Sequence, residues 1–303
     1  MTVATAEGVR RFPCFGAVGA VYASGGSERA LTAAQFRLLA IHRRLSRFRA
    51  DSELCRLNAD PAEAVPASVL MRRFVLAVLW AAELTRGLVD PTLLEEIERA
   101  GYADSYDPAE ALPLGELAGL PRRPARPSPA ARWRSVQGDD AGGRVVRPPG
   151  VRLDSGGIAK GMAADFVAPL FEDHASFAID CAGDLRIGGS SGAPRSVSVD
   201  NPFGGEPLYE FQLAEGGVAT SGIGRRSWRG RDGGFAHHLL DPSTGQPVHT
   251  GVLQATALAP SALEAEVRAK AALLAGPETG VRWLRHGGAL VLDDGTFEVV
   301  EGR

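Results

Sequence analysis

Leu153-Asp154-Ser155-Gly156-Gly157-Ile158-Ala159-Lys160-Gly161-Met162-Ala163-Ala164-Asp165 is a short apolar run that breaks into two glycines and then opens a helix. A glycine pair permits positive φ or a close approach of the backbone to a ligand. The helix behind it offers unpaired N–H groups to an anion. A phosphate-like group fits such a turn, with Lys160 as a cationic donor inside it and Asp154 as an acceptor just ahead. An ordinary strand-to-helix turn uses the same two glycines, so the rest of the chain has to decide between the readings.

The chain has 303 residues, 45% of them hydrophobic, enough to bury a large core in one domain or two closely joined ones. Its 33 basic and 36 acidic side chains give a formal charge of -3, so no global field draws it to nucleic acid or anionic lipid. Lys160 and Lys270 are the only lysines. Cys14, Cys55 and Cys181 are too few and too scattered for a disulfide framework or a zinc site, which points to a reduced, cytoplasmic setting. Met1 to Arg11 has no apolar signal core, and no run of 18 apolar residues marks a membrane segment.

Upstream of the opening stretch, Phe12 to Ala23 reads as a first strand punctuated by glycines. Ala30 to Phe48 carries Leu31, Ala34, Leu38, Ile41 and Leu45 at helical spacing, and Asp51-Ser52 caps the short turn that follows. Pro66 to Arg86 reads as a helix closed by Gly87. Asp90 then stands as the N-cap of another helix, with Pro91 in its first turn. From Leu112 to Ser135 the composition turns to Pro and Arg, the mark of an exposed loop or linker.

Downstream, Ser176 to Ile187 is a buried strand entering a Gly-Asp turn, and Val197 to Val199 and Tyr209 to Leu213 are further strands. Val218-Ala219-Thr220-Ser221-Gly222 ends a strand with two hydroxyls and a glycine. Arg225, Arg226, Arg229 and Arg231 follow, a set able to line an anionic pocket. His237 to Gly245 gathers histidine, aspartate and hydroxyls around an Asp-Pro turn. Leu253 to Ala259 is a strand, Ser261 to Ala275 an alanine-rich helix capped by Ser261, and a hairpin over Asp293-Asp294-Gly295 closes the chain. Strands and helices without a βαβ rhythm predict an α+β fold, and no G-x-G-x-x-G opens a helix to support a dinucleotide fold of the doubly wound kind.

The order and spacing of these pieces resemble the ApbE-like family, the FAD:protein FMN transferases, over almost the whole chain. The pieces are Gly16-Ala17-Val18, Ser46 through Asn58, Asp90-Pro91-Thr92, Asp154 through Gly161, Ala219-Thr220-Ser221-Gly222, and His238 through Gly245, whose H-x-x-D-P-x-T-G is the most specific. The resemblance implies one domain over 1–303, with a mixed sheet, flanking helices and a ligand cleft between two lobes. It implies FAD as donor and, with Mg²⁺, transfer of the FMN half to a Thr or Ser hydroxyl of an acceptor flavoprotein, releasing AMP. By position, Leu88, Val89 and Asp90 then lie along the flavin nucleotide. Asp154, Gly156, Gly157, Lys160, Thr220, Ser221 and Gly222 contact FAD, Leu240 holds it through its backbone, and His238 is the base for the acceptor hydroxyl.

Four positions depart from the family pattern. Phe15 and Phe48 stand where Met and Tyr are usual, and both still pack on an isoalloxazine or adenine ring. Ala159 and Glu266 stand at implied Mg²⁺ ligand positions, but Lys270 replaces a Thr ligand, and an ammonium has no lone pair and repels a cation. Glu266 and Lys270 are four apart, the spacing of an ion pair on one helical face. Lys270 is therefore expected in the metal's place, held by Glu266 and acting with Lys160 on the diphosphate. The same pair is compatible with a non-catalytic FAD-binding protein or with an FAD pyrophosphatase that uses water.

Overall fold

Phe15 and Gly16 both adopt positive φ, 53° and 77°, and turn the chain back on itself. The stretch expected as one strand is therefore a hairpin, β1 (Glu7–Cys14) and β2 (Ala17–Ser24). A two-residue turn needs φ > 0 at its centre, and here one of the two positions is a phenylalanine, an uncommon choice. The structure is a computed structural model that describes residues 7–25, 28–105, 111–117, 120–230 and 233–303. Arg231 and the first six residues, on which part of the sequence reading fell, lie outside them.

The main sheet continues with β3 (Ser176–Cys181), β4 (Asp184–Gly188), β5 (Gly216–Gly222), β6 (Val252–Ala259), β7 (Gly288–Leu292) and β8 (Phe297–Val300). Each strand is antiparallel to the next, so order in space follows order in the chain. Long helical insertions separate β2 from β3, the arrangement expected of an α+β fold.

Three of the helices begin at a serine whose side chain caps them. α1 (Glu28–Leu45) buries Leu31, Ala34, Leu38, Ile41 and Leu45. α2 (Glu53–Ala59) starts at Ser52, whose hydroxyl accepts from Cys55 N at 2.9 Å. α3 (Val69–Leu84) starts at Ser68 and α4 (Leu94–Arg99) at Leu93. Asp90 is thus not an N-cap. Its carboxylate accepts from Thr92 N at 2.8 Å and closes a local turn ahead of α4 instead. α5 (Ala159–Val167) and α6 (Ala262–Ala275), the latter capped by Ser261 Oγ from Glu264 N at 3.2 Å, lie with α1 along one face of the sheet. On the other face, strands Arg195–Val199 and Tyr209–Leu213 pair and set Val197 against Ala178, Ile187 and Val218.

α5 and α6 meet backbone to backbone at Gly161, where an added Cβ would sit 2.4 Å from Ala262 O. The Pro/Arg-rich segment is less solvated than its composition suggests. Ala125 and Trp133 are buried, and Ala125 N donates to Leu274 O at 2.8 Å, tying the segment to the end of α6. No helix among the described residues is long and apolar enough to cross a membrane.

Candidate active site

A cavity of about 370 Å³ opens where the turn after α1, the loop after α3, residues 154–160 and residues 238–240 converge. The opening stretch of the sequence forms its floor, and four hydrogen bonds fix it there. Asn58 Nδ2 donates to Leu153 O at 2.8 Å, while Leu153 N donates to Asn58 Oδ1 at 2.8 Å. Asp154 N donates to Pro91 O at 2.8 Å, and Ser155 Oγ to Leu45 O at 2.7 Å. Neither Gly156 nor Gly157 takes positive φ. Small size matters at Gly156, where an added Cβ would lie 3.0 Å from Asp154 Oδ2, whereas at Gly157 it would make only ordinary contact with Val89 and Lys270.

Arg47, Arg49, Lys160, Arg226 and Lys270 line the cavity against the carboxylates of Asp90 and Asp154. Five cations facing two carboxylates make a wall that favours an anion. Burial raises the Asp90 carboxyl above its ordinary value despite its two bonds from Thr92. The Arg47 side chain, 6% exposed, lies 3.5 Å from Asp154 Oδ1. Its guanidinium carbon is 4.2 Å from the Phe48 ring centroid and 4.3 Å from that of Tyr102, and its Nη2 has no hydrogen-bond partner.

The two adjacent histidines divide their roles. Leu239 N donates to His237 Nδ1 at 3.2 Å, which leaves Nε2 to donate to Val248 O at 2.6 Å, so His237 holds the turn together. Burial lowers its pKa to about 4. His238 lines the cavity, with its Nδ1 buried and without a partner. Burial, followed by the positive charges of Arg226 and Lys270, pushes its pKa well below the ordinary imidazole value. A neutral imidazole able to accept a proton is the result.

Behind the floor, Lys160 Nζ lies 2.7 Å from Asp184 Oδ2, a carboxylate 1% exposed at the start of β4. Burial alone would lower the Lys160 pKa, but Asp184 and then Glu266 outweigh it and the value rises. Glu266, 2% exposed, accepts from Gly161 N at 2.8 Å through Oε2 and leaves Oε1 unpartnered. Burial, reinforced by Asp184, raises its pKa to about 7. Lys270 Nζ donates to Gly156 O at 3.5 Å, and burial lowers its pKa. The expected Glu266–Lys270 ion pair is replaced by this split arrangement, in which each side chain turns to the backbone of a different part of the turn.

The model of the ApbE family matches residues 16–292. The chain belongs to the ApbE family. A Treponema pallidum relative named FAD:protein FMN transferase is 30% identical over 266 residues, spanning 80% of this chain and 70% of that protein. A Klebsiella pneumoniae relative of the same name is 27% identical over 267 residues, spanning 85% and 74%. The crystal structure of the ApbE protein of Thermotoga maritima superposes with a TM-score of 0.78 at 26% identity, covering 98% of this chain and 97% of that one.

In this ApbE-family chain the cavity brings together Phe15, Phe48, Leu88, Val89, Asp90, Asp154, Gly156, Gly157, Ala159, Lys160, His238, Leu240 and Lys270 from six separate parts of the sequence. Glu266 stands behind this wall, and Thr220, Ser221 and Gly222 are not part of the lining. Ala219 packs on Ala265 of α6, so Thr220 points the opposite way, exposed, with its hydroxyl 2.8 Å from that of Thr256. Of the arginines that follow, Arg226 alone among those described lines the cavity, while Arg225 pairs with Asp200 and Arg229 with Glu116. Arg47, Tyr102 and Asp184 carry no local signal for their positions. Arg47 sits between two quoted motif residues, Ser46 and Phe48, and only the fold shows that it faces Asp154.

Proposed function

We propose that this chain is a FAD:protein FMN transferase acting as a single domain over 1–303, with FAD as donor and a Thr or Ser hydroxyl of another protein as acceptor. The activity for which its relatives are named supports this reading, and so does one observation above the rest. A cavity with five cations against two carboxylates also presents a neutral His238 whose buried Nδ1 has no hydrogen-bond partner.

FAD is FMN joined to AMP through a diphosphate, so moving FMN means attack on the FMN phosphorus. The acceptor oxygen forms the new P–O bond, the bond to the bridging oxygen breaks, and AMP leaves with that oxygen. The hydroxyl proton passes to His238 Nδ1, which has no partner and which burial and nearby cations keep unprotonated. Lys160, Lys270 and the N-terminus of α5 neutralise charge on the diphosphate, and the rings of Phe15, Phe48 and Tyr102 offer faces for the two ring systems. With Cys14, Cys55 and Cys181 all unpaired, the cytoplasmic expectation stands as part of the same reading.

The resemblance also implies Mg²⁺, and the side chains do not fit it. Among the described residues no group of three or more His, Cys, Asp or Glu is arranged to hold a metal ion. The two carboxylates near the floor, Asp184 and Glu266, are shared with Lys160 and with the Gly161 amide. No step of the reaction is derived through a metal.

Mass spectrometry of a Thr-containing acceptor peptide after incubation with FAD tests the proposal. An FMN adduct on the peptide and an equal amount of AMP are expected. His238→Ala is expected to keep FAD binding and to slow transfer by about 100-fold or more. AMP without an adduct would identify water as the acceptor, and binding without either product would identify a flavin-binding protein.

A further inference from the structure

The chain's two lysines converge on one turn. Lys160 reaches the cavity from the first turn of α5 and Lys270 from the third turn of α6, on either side of Gly156-Gly157. Their partners differ. Lys160 has the carboxylate of Asp184 at 2.7 Å. Among the described residues Lys270, with three donors, has one long bond, to Gly156 O at 3.5 Å, and no carboxylate within 4 Å. An ammonium group in a half-buried cavity with most of its donors unused is built to meet an acceptor that arrives with the ligand.

The charge count points the same way. Asp184 offsets Lys160 and Asp51 offsets Arg49, so with Asp90 and Asp154 the lining keeps about one positive charge in excess before any ligand binds, and Lys270 is one of its cations without a carboxylate partner among the described residues. A divalent cation would add to that excess beside two ammonium groups, where like charges repel across a low-dielectric wall. Glu266 does not reverse this, because it stands behind the cavity wall with Oε2 committed to the Gly161 amide.

We propose that Lys270, with Lys160, takes the role of a divalent cation at the FAD diphosphate, so that this chain binds FAD and transfers FMN without Mg²⁺. The inference rests on the functional reading above. It extends that reading by naming the group that carries the charge.

The test is a fluorescence titration of FAD into the full-length protein in EDTA and in Mg²⁺, followed by the transfer assay in both buffers. Affinity is expected to agree within about twofold between buffers, and the FMN adduct is expected to form in EDTA. Lys270→Ala is expected to weaken FAD by about 10- to 100-fold, with Lys270→Arg recovering most of the loss. Circular dichroism establishes that the variants fold, and the comparison of buffers on the unaltered protein is independent of them. Mg²⁺ tightening FAD by about tenfold or more, or an adduct formed only with Mg²⁺, would overturn the inference while leaving the transferase reading intact. Absence of FAD binding in both buffers would overturn the transferase reading, and the inference with it.

Discussion

Gly161→Ala sets two opposed effects against each other at the crossing of α5 and α6. Helix propensity alone says that alanine in place of glycine stabilises by about 1 kcal/mol. The packing says otherwise. The new Cβ would lie 2.4 Å from Ala262 O, 2.6 Å from Ala262 C and 2.8 Å from Leu263 N, all backbone atoms with no rotamer to change. Restoring ordinary contact means moving α6 away by about 1 Å, an overpacking penalty of about 1–3 kcal/mol. The shift also stretches the bond from Gly161 N to Glu266 Oε2, now 2.8 Å, and a bond to a buried carboxylate contributes about 1.5–3 kcal/mol. The net expectation is destabilisation by about 2–4 kcal/mol, read as a lower urea midpoint with an unchanged slope. Because α6 carries Lys270, FAD affinity should fall in parallel. A variant as stable as the parent, or more stable, would refute the argument that these helices touch at the backbone.

Asn58→Ala removes both bonds that hold Leu153, so a loss of about 2–3 kcal/mol and weaker FAD binding are expected in denaturation and titration. The Glu266 carboxyl, with its pKa raised to about 7, makes a contribution fully present below its unfolded value of 4.5 and lost as pH rises through about 7. Glu266→Gln keeps the acceptor for Gly161 N and does not titrate. Its stability relative to the parent should therefore rise by about 1–3 kcal/mol between pH 4.5 and pH 8, measured by urea denaturation at each pH. Arg47→Lys should weaken FAD by about tenfold although charge is conserved, because an ammonium loses the planar stack on Phe48 and Tyr102.

Local signals carried much of the fold. Ser52 and Ser261 cap α2 and α6, Gly276 closes α6, and the period of Leu31, Ala34, Leu38, Ile41 and Leu45 is the buried face of α1. Each of these is decided within a few residues. Asp90 misled because an aspartate before Pro satisfies an N-cap pattern and a two-residue side-chain turn equally well, and the backbone after Thr92 selects the second. The hairpin at Phe15 was hidden by a phenylalanine in a conformation that usually calls for glycine.

The site was legible where motif residues themselves face the ligand, as at Asp154, Lys160 and His238. It was not legible where the decisive neighbour comes from a distant strand or helix. Asp184 reaches Lys160 only because β4 begins beside α5, and the nearness of Glu266 to Gly161 depends on two helices in backbone contact. Thr220 was misplaced by one step of the strand alternation, which turns its hydroxyl to Thr256 and away from α6.

A crystal structure of the protein with FAD, grown in EDTA, tests the central claim most directly. The account predicts diphosphate oxygens within hydrogen-bonding distance of Lys270 Nζ and of the backbone at Gly156-Gly157, with His238 facing the FMN phosphorus. A flavin nucleotide seated outside this cavity, or a diphosphate turned away from both lysines, would contradict it.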